Sequence, residues 1–207
     1  MKAVLLSLAL AGAVCASAAR GSAEGFDRQA AGKPPAGWTC GTTGGGAPHW
    51  AVEADDQAPS PPNVLVQRGA ATFSWCVSDA AKVAHGKVAV RFKPMNGKED
   101  QAGGVVWRWK DANGYYVARA NALENNVGLY YVSNGIRHTI KYRDVPVASN
   151  VWHRLEVRFG GEHIEVVFDG KRGIEADDHH VTGAGLSGVW TKADSVTAFD
   201  DFEADGE

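Results

Sequence analysis

The sequence predicts an all-β fold: two packed antiparallel sheets, a sandwich or jelly roll, with little helix. Three observations carry this expectation. Apolar and polar residues alternate with a period of two in several short runs, the pattern of half-buried strands. Asn113-Gly114, Asn134-Gly135 and Asp169-Gly170 fall between β-rich runs, where tight turns demand positive φ angles. No window of comparable length sustains apolar spacing at three and four residues, so little helix is available to cover a parallel sheet.

Taken in order, residues 19–36 are small and polar and hold Pro34-Pro35, the composition of a linker leading into a domain over 37–204. Between Cys40 and Pro62, Gly44-Gly45-Gly46 and Pro59, Pro61 and Pro62 surround one short strand, Trp50 to Ala54. In Lys87 to Lys93, Val88, Val90 and Phe92 share one face while Lys87, Arg91 and Lys93 take the other. Further strands are expected at Ala102 to Trp109, Tyr115 to Ala120, Val127 to Val132 and Ile136 to Tyr142. The runs Val151 to Phe159 and Glu162 to Asp169 repeat the alternation on either side of Gly160-Gly161 and read as a hairpin. Gly185 to Thr191 and Val196 to Phe202 complete the set.

The 207 residues, 44% hydrophobic and 22% charged, suit one globular domain. The 25 glycines follow no triplet period, which excludes collagen and favours turn-dense β structure. A formal net charge of −3 supplies no cationic field, so nucleic acid and anionic membrane are poor partners and a neutral one is expected. Met1-Lys2, the apolar run Ala3 to Val14 and Ala16-Ser17-Ala18 read as a signal peptide over 1–18, cleaved near Ala18, so the protein is expected to be secreted or periplasmic. A run of about twelve apolar residues is too short for a bilayer, which takes ~20, and no later run would span one. Cleavage leaves Cys40 and Cys76, which an exported protein can join as a disulfide; the alternative is two buried thiols.

Several enzyme signatures are missing. Gly44-Gly45-Gly46 runs into Ala47-Pro48 instead of completing a phosphate loop, there is no His-Glu-x-x-His, and Gly185-Leu186-Ser187-Gly188 is out of register with a nucleophile elbow. Glu53 and Asp55 on one strand face would stand about 6 to 7 Å apart, a spacing that glycoside hydrolysis permits, but two solvated acids are the plainer account. His179-His180 invite a metal; adjacent residues on an extended chain point to opposite sides, so a solvated loop is expected. Asp200-Asp201 could offer oxygens to a structural Ca²⁺. Strand-end acids remain the leading account there, and no cofactor is expected.

The stretch from Ala102 to Tyr131 is richest in binding chemistry. Trp107, Trp109, Tyr115, Tyr116, Tyr130 and Tyr131 lie among Arg, Asn and Glu residues. Aromatic faces stack on sugar C–H faces while guanidinium, amide and carboxylate groups bond vicinal hydroxyls, so the mixture suits a carbohydrate. Trp107, Tyr116 and Trp190 also suit an ordinary core. Arg119 and Asn121, on one face of an otherwise Tyr, Val and Ala strand, must be paired or line a cleft. The candidate carbohydrate contacts are Arg108, Arg119, Asn121, Glu124, Asn126, Lys192 and Asp194, the last two because the turn after Trp190 should bring a charged pair to the rim.

The blocks Ala102-Gly103-Gly104-Val105-Val106-Trp107-Arg108, Asn113 to Val127, Trp152-His153-Arg154-Leu155-Glu156-Val157 and Gly188 to Val196 with Phe199-Asp200-Asp201-Phe202 resemble secreted bacterial proteins with a concanavalin A-like, laminin G-like jelly roll. Proteins of this kind are grouped with the 3-keto-disaccharide hydrolase domain. The resemblance spans about Gly37 to Glu203 and implies a sugar-directed role. The Glu-x-Asp-x-x-Glu strand of laminarinase-type relatives is missing, since Ala58 stands where the last acid would be, and no catalytic residue carries over. The leading expectation is an exported domain recognising a neutral sugar or glycan on a concave sheet face. The alternatives are a hydrolase of 3-keto-disaccharides with Glu124 or Asp194 as general acid, and an envelope module that binds protein.

Overall fold

A computed structural model describes residues 24–206; the signal peptide expected over 1–18 lies outside them. Fourteen strands follow one another: β1 (Trp38–Ala47), β2 (Trp50–Ala54), β3 (Asn63–Gln67), β4 (Ala70–Val83), β5 (Gly86–Asn96), β6 (Ala102–Asp111), β7 (Gly114–Asn121), β8 (Asn126–Ser133), β9 (Ile136–Asp144), β10 (His153–Gly160), β11 (His163–Phe168), β12 (Lys171–Asp177), β13 (Gly185–Ala193) and β14 (Val196–Gly206). They form two seven-stranded sheets, ordered β1-β4-β13-β6-β7-β8-β9 and β12-β11-β10-β5-β14-β3-β2, with antiparallel pairing throughout. The chain is an all-β sandwich, as its alternation predicts.

The core lies between the sheets. Val105, Trp107, Tyr116, Ala118, Val127 and Leu129 of the first sheet meet Val88, Val90, Phe92, Leu155, Val157 and Phe199 of the second. Trp107 stacks on Tyr116 with ring centroids 5.3 Å apart, so both serve packing. Gly103 is required here, because a Cβ would stand 2.3 Å from the Phe92 ring. Cys40 and Cys76 face each other across β1 and β4 and are joined as a disulfide, which settles the two-thiol alternative.

Four strands escape the alternation rule, β1, β3, β4 and β12. β1 and β12 are sheet edges whose exposed residues carry little apolar signal. Residues 24–36, expected to be the latter part of a linker, lie against the sandwich. Phe26 is buried and packs on Trp38, whose other neighbour is Phe202, and Glu24 pairs its backbone with Phe202.

The first sheet curls strongly. Thr43 on β1 and Tyr115 on β7 stand four strand spacings apart, about 19 Å in a flat sheet. Their hydroxyls nevertheless meet at 2.8 Å, and Thr43 Oγ1 also donates to the Ala112 carbonyl at 2.6 Å. The outer face of this sheet is therefore the inside of a trough. That curvature buries Trp75, Val106, Tyr115, Val117, Tyr130 and Trp190 as a second apolar cluster with no second sheet to cover it.

Candidate functional site

Alternation places Arg119 and Asn121 of β7 in the trough, opposite in phase to Ala118 and Ala120 of the core. Ladder register then lines up Trp190, Gly104, Arg119, Gly128 and Tyr142 on five adjacent strands. The glycines let large side chains lie flat: a Cβ on Gly104 would stand 2.1 Å from the Ala118 carbonyl, and one on Gly128 would run into the Tyr130 ring.

Five of the seven expected residues gather at one end of this trough. Arg119, 1% exposed, donates from Nη1 to Asn126 Oδ1 at 2.6 Å and from Nη2 to Glu124 Oε2 at 2.5 Å. Lys192 Nζ reaches Asp100 Oδ2 at 2.6 Å, and Asn121 Nδ2 donates to the other Asp100 oxygen. Asn121 Oδ1 in turn accepts from the Leu123 and Glu124 amides, which fixes the turn carrying Glu124. Asp194 stands at the rim, its carboxylate accepting from the amides of Lys98, Glu99 and Asp100.

Arg108 is placed elsewhere. β6 bulges there, and its buried guanidinium donates to the carbonyls of Ala84, Gly161 and Val181, a structural role at the other end of the strand. Sequence reading also passed over two trough residues. Asp100 is fully buried beneath Lys192 and Asn121, in a loop with no alternation to mark it. Arg137 reaches from the edge strand β9 across to β4, its guanidinium carbon 4.9 Å from the Phe73 ring centre, 4.2 Å from Tyr130 and 5.7 Å from Trp190.

The electrostatics keep the nearby acids charged. Burial opposes ionisation of Glu124, but Arg119 outweighs it and holds the carboxyl below the usual glutamate range. Burial likewise opposes ionisation of Asp194, and the three amide hydrogen bonds win. Neither group holds a proton for general acid catalysis at neutral pH. Glu53 is ion-paired with Arg68 at 2.6 Å and Asp55 with Lys93 at 2.7 Å, both outside the trough. His180 stacks on Tyr131 and bonds Asp178, and Asp200 accepts from the Ser60 amide. Among the described residues no three His, Cys, Asp or Glu side chains are grouped to hold a metal ion.

No family model and no curated protein matches the chain. Among solved structures it is similar to carbohydrate-binding module CBM66 from Bacillus subtilis, at 22% identity and TM-score 0.65, over 80% of this chain and 93% of that one. It is also similar to a prokaryotic β-1,3-1,4-glucanase (lichenase) derived from a mouse hindgut metagenome, at 17% identity and TM-score 0.56, over 86% and 95%. A third is the Bacillus licheniformis β-glucanase, at 14% identity and TM-score 0.54, over 89% and 97%. At these identities the likeness establishes the fold, a concanavalin-like jelly roll.

Proposed function

We propose that this protein binds carbohydrate in the trough of its first sheet, as an exported binding domain. The observation that carries the reading is Arg119. It is a fully buried guanidinium whose fork holds Glu124 and Asn126 at the trough rim, beside Lys192 and the 47% exposed ring of Tyr142. An exposed aromatic face next to a carboxylate, an amide and an ammonium group is the equipment for stacking on a sugar ring and bonding its hydroxyls. The structural neighbours named for carbohydrate binding and glucan hydrolysis support the same reading. Export is supported by the Cys40–Cys76 disulfide, which persists in oxidising compartments. Binding is preferred to 3-keto-disaccharide hydrolysis because Glu124 and Asp194 are both held ionised.

The test is a glycan panel against the full chain by calorimetry, with Glu124→Gln, which keeps an acceptor oxygen for Arg119, and Tyr142→Ala, two exposed positions outside the core. Each variant is expected to weaken binding at least tenfold while its melting temperature stays within about 2 °C of the parent. Affinities unchanged in both variants would move the site out of the trough.

A further inference from the structure

Arg137 is the one trough cation without a counter-ion among the described residues. Arg119 is paired with Glu124 and Lys192 with Asp100, whereas no carboxylate lies within ion-pair distance of Arg137. Asp144, on the same edge strand and the same face, is seven residues away, about 23 Å along the strand. The Arg137 guanidinium packs on three aromatic rings, and its Nη1 is buried with no hydrogen-bond partner. Stacking occupies the faces of the planar group and leaves its in-plane N–H donors unused.

The second unsatisfied donor in the trough belongs to Arg119, whose Nε is buried and unpartnered while its two terminal nitrogens are engaged. Both guanidinium groups pack on the ring of Tyr130, Arg137 at 4.2 Å and Arg119 at 5.7 Å. Trp109, at the same face, also has a buried indole N–H without an acceptor. The trough thus offers unused donors and, at Arg137, an unpaired guanidinium where an acceptor is wanted. A planar carboxylate matches a guanidinium fork in shape as well as charge.

We infer that the trough selects an acidic sugar, a hexuronate, whose ring lies on the exposed ring of Tyr142 and whose carboxylate is received by Arg137. This rests on the carbohydrate reading above and gives it a ligand class. It departs from the neutral ligand expected from overall charge, because Arg137 sets the local charge at the point of contact.

The experiment compares oligogalacturonate and oligoglucuronate with their carboxyl-reduced, neutral counterparts, using the full chain and Arg137→Gln. The native protein is expected to bind a uronide at least tenfold more tightly than its neutral counterpart, with an advantage that shrinks as salt rises. Arg137→Gln is expected to remove that advantage and leave neutral-sugar affinity within about twofold. Should Arg137→Gln melt early, Arg137→Lys keeps the charge and loses the fork, and a three- to tenfold loss for uronides alone is expected. Equal affinity for acidic and neutral sugars, or a uronide preference that survives both variants, overturns the inference while the carbohydrate reading stands. No binding to any sugar of either series overturns both.

Discussion

Single side chains decide how the trough holds together. Asp100 is fully buried and satisfies both Lys192 and Asn121. Its removal strands an ammonium group and an amide, so Asp100→Ala is expected to cost about 3 kcal/mol in denaturant unfolding, the penalty of breaking a buried pair. Gly104→Ala is expected to cost about 2 to 3 kcal/mol, since the added methyl meets a backbone carbonyl that has nowhere to go. Asp200 makes a prediction of a different kind. Burial pushes its carboxyl up to about 6, against about 3.9 in an unfolded chain. Between these values the folded state holds more protons than the unfolded one, so this group's contribution to stability falls as pH rises through that window. Asp200→Asn should therefore gain on the parent by several degrees of melting temperature between about pH 4 and pH 7, and a constant difference would contradict the assignment.

At the scale of the strand, legibility in the sequence follows the turns that bound each run. β2 is read to the residue, and β5 to β11, β13 and β14 within four residues at either end, because turn residues punctuate alternating or β-rich runs there. β1 was hidden for a physical reason. It is an edge strand rich in Gly and Thr, and Gly41 is needed so that the Trp75 indole can lie over it, at 2.6 Å from where a Cβ would stand. The site divides in the same way. Arg119 and Asn121 stand out as charged and polar residues in an apolar strand, whereas Arg137 belongs to a nearly all-polar edge strand where nothing marks it. The disulfide anchors β1 to β4 across a separation of 36 residues. Loop closure of that length is worth about 3 to 4 kcal/mol, so Cys40→Ala/Cys76→Ala should unfold at correspondingly lower denaturant.

The whole molecule extends beyond the repeating strands. Phe26 fills the gap beside Trp38 and Phe202, so Phe26→Ala is expected to cost about 3 kcal/mol, and a change below about 0.5 kcal/mol would mean that residues 24–36 are only a tether. Overall charge informs solubility and long-range approach, while ligand choice is made within a few ångströms of one guanidinium.

The first sheet is also asymmetric in how its two margins are secured. One is sewn to its neighbour by a covalent bond at Cys40; the other, β9, carries no cross-link and meets β12 through Lys141 and Arg143, which donate to the carbonyls of Glu175, Arg172 and Gly173. A ligand gripped by Arg137 and Tyr142 would act as the missing stitch on that loose margin. Binding should then slow amide exchange along 136–144 far more than along 38–47, so the free side of the trough becomes its own reporter of occupancy.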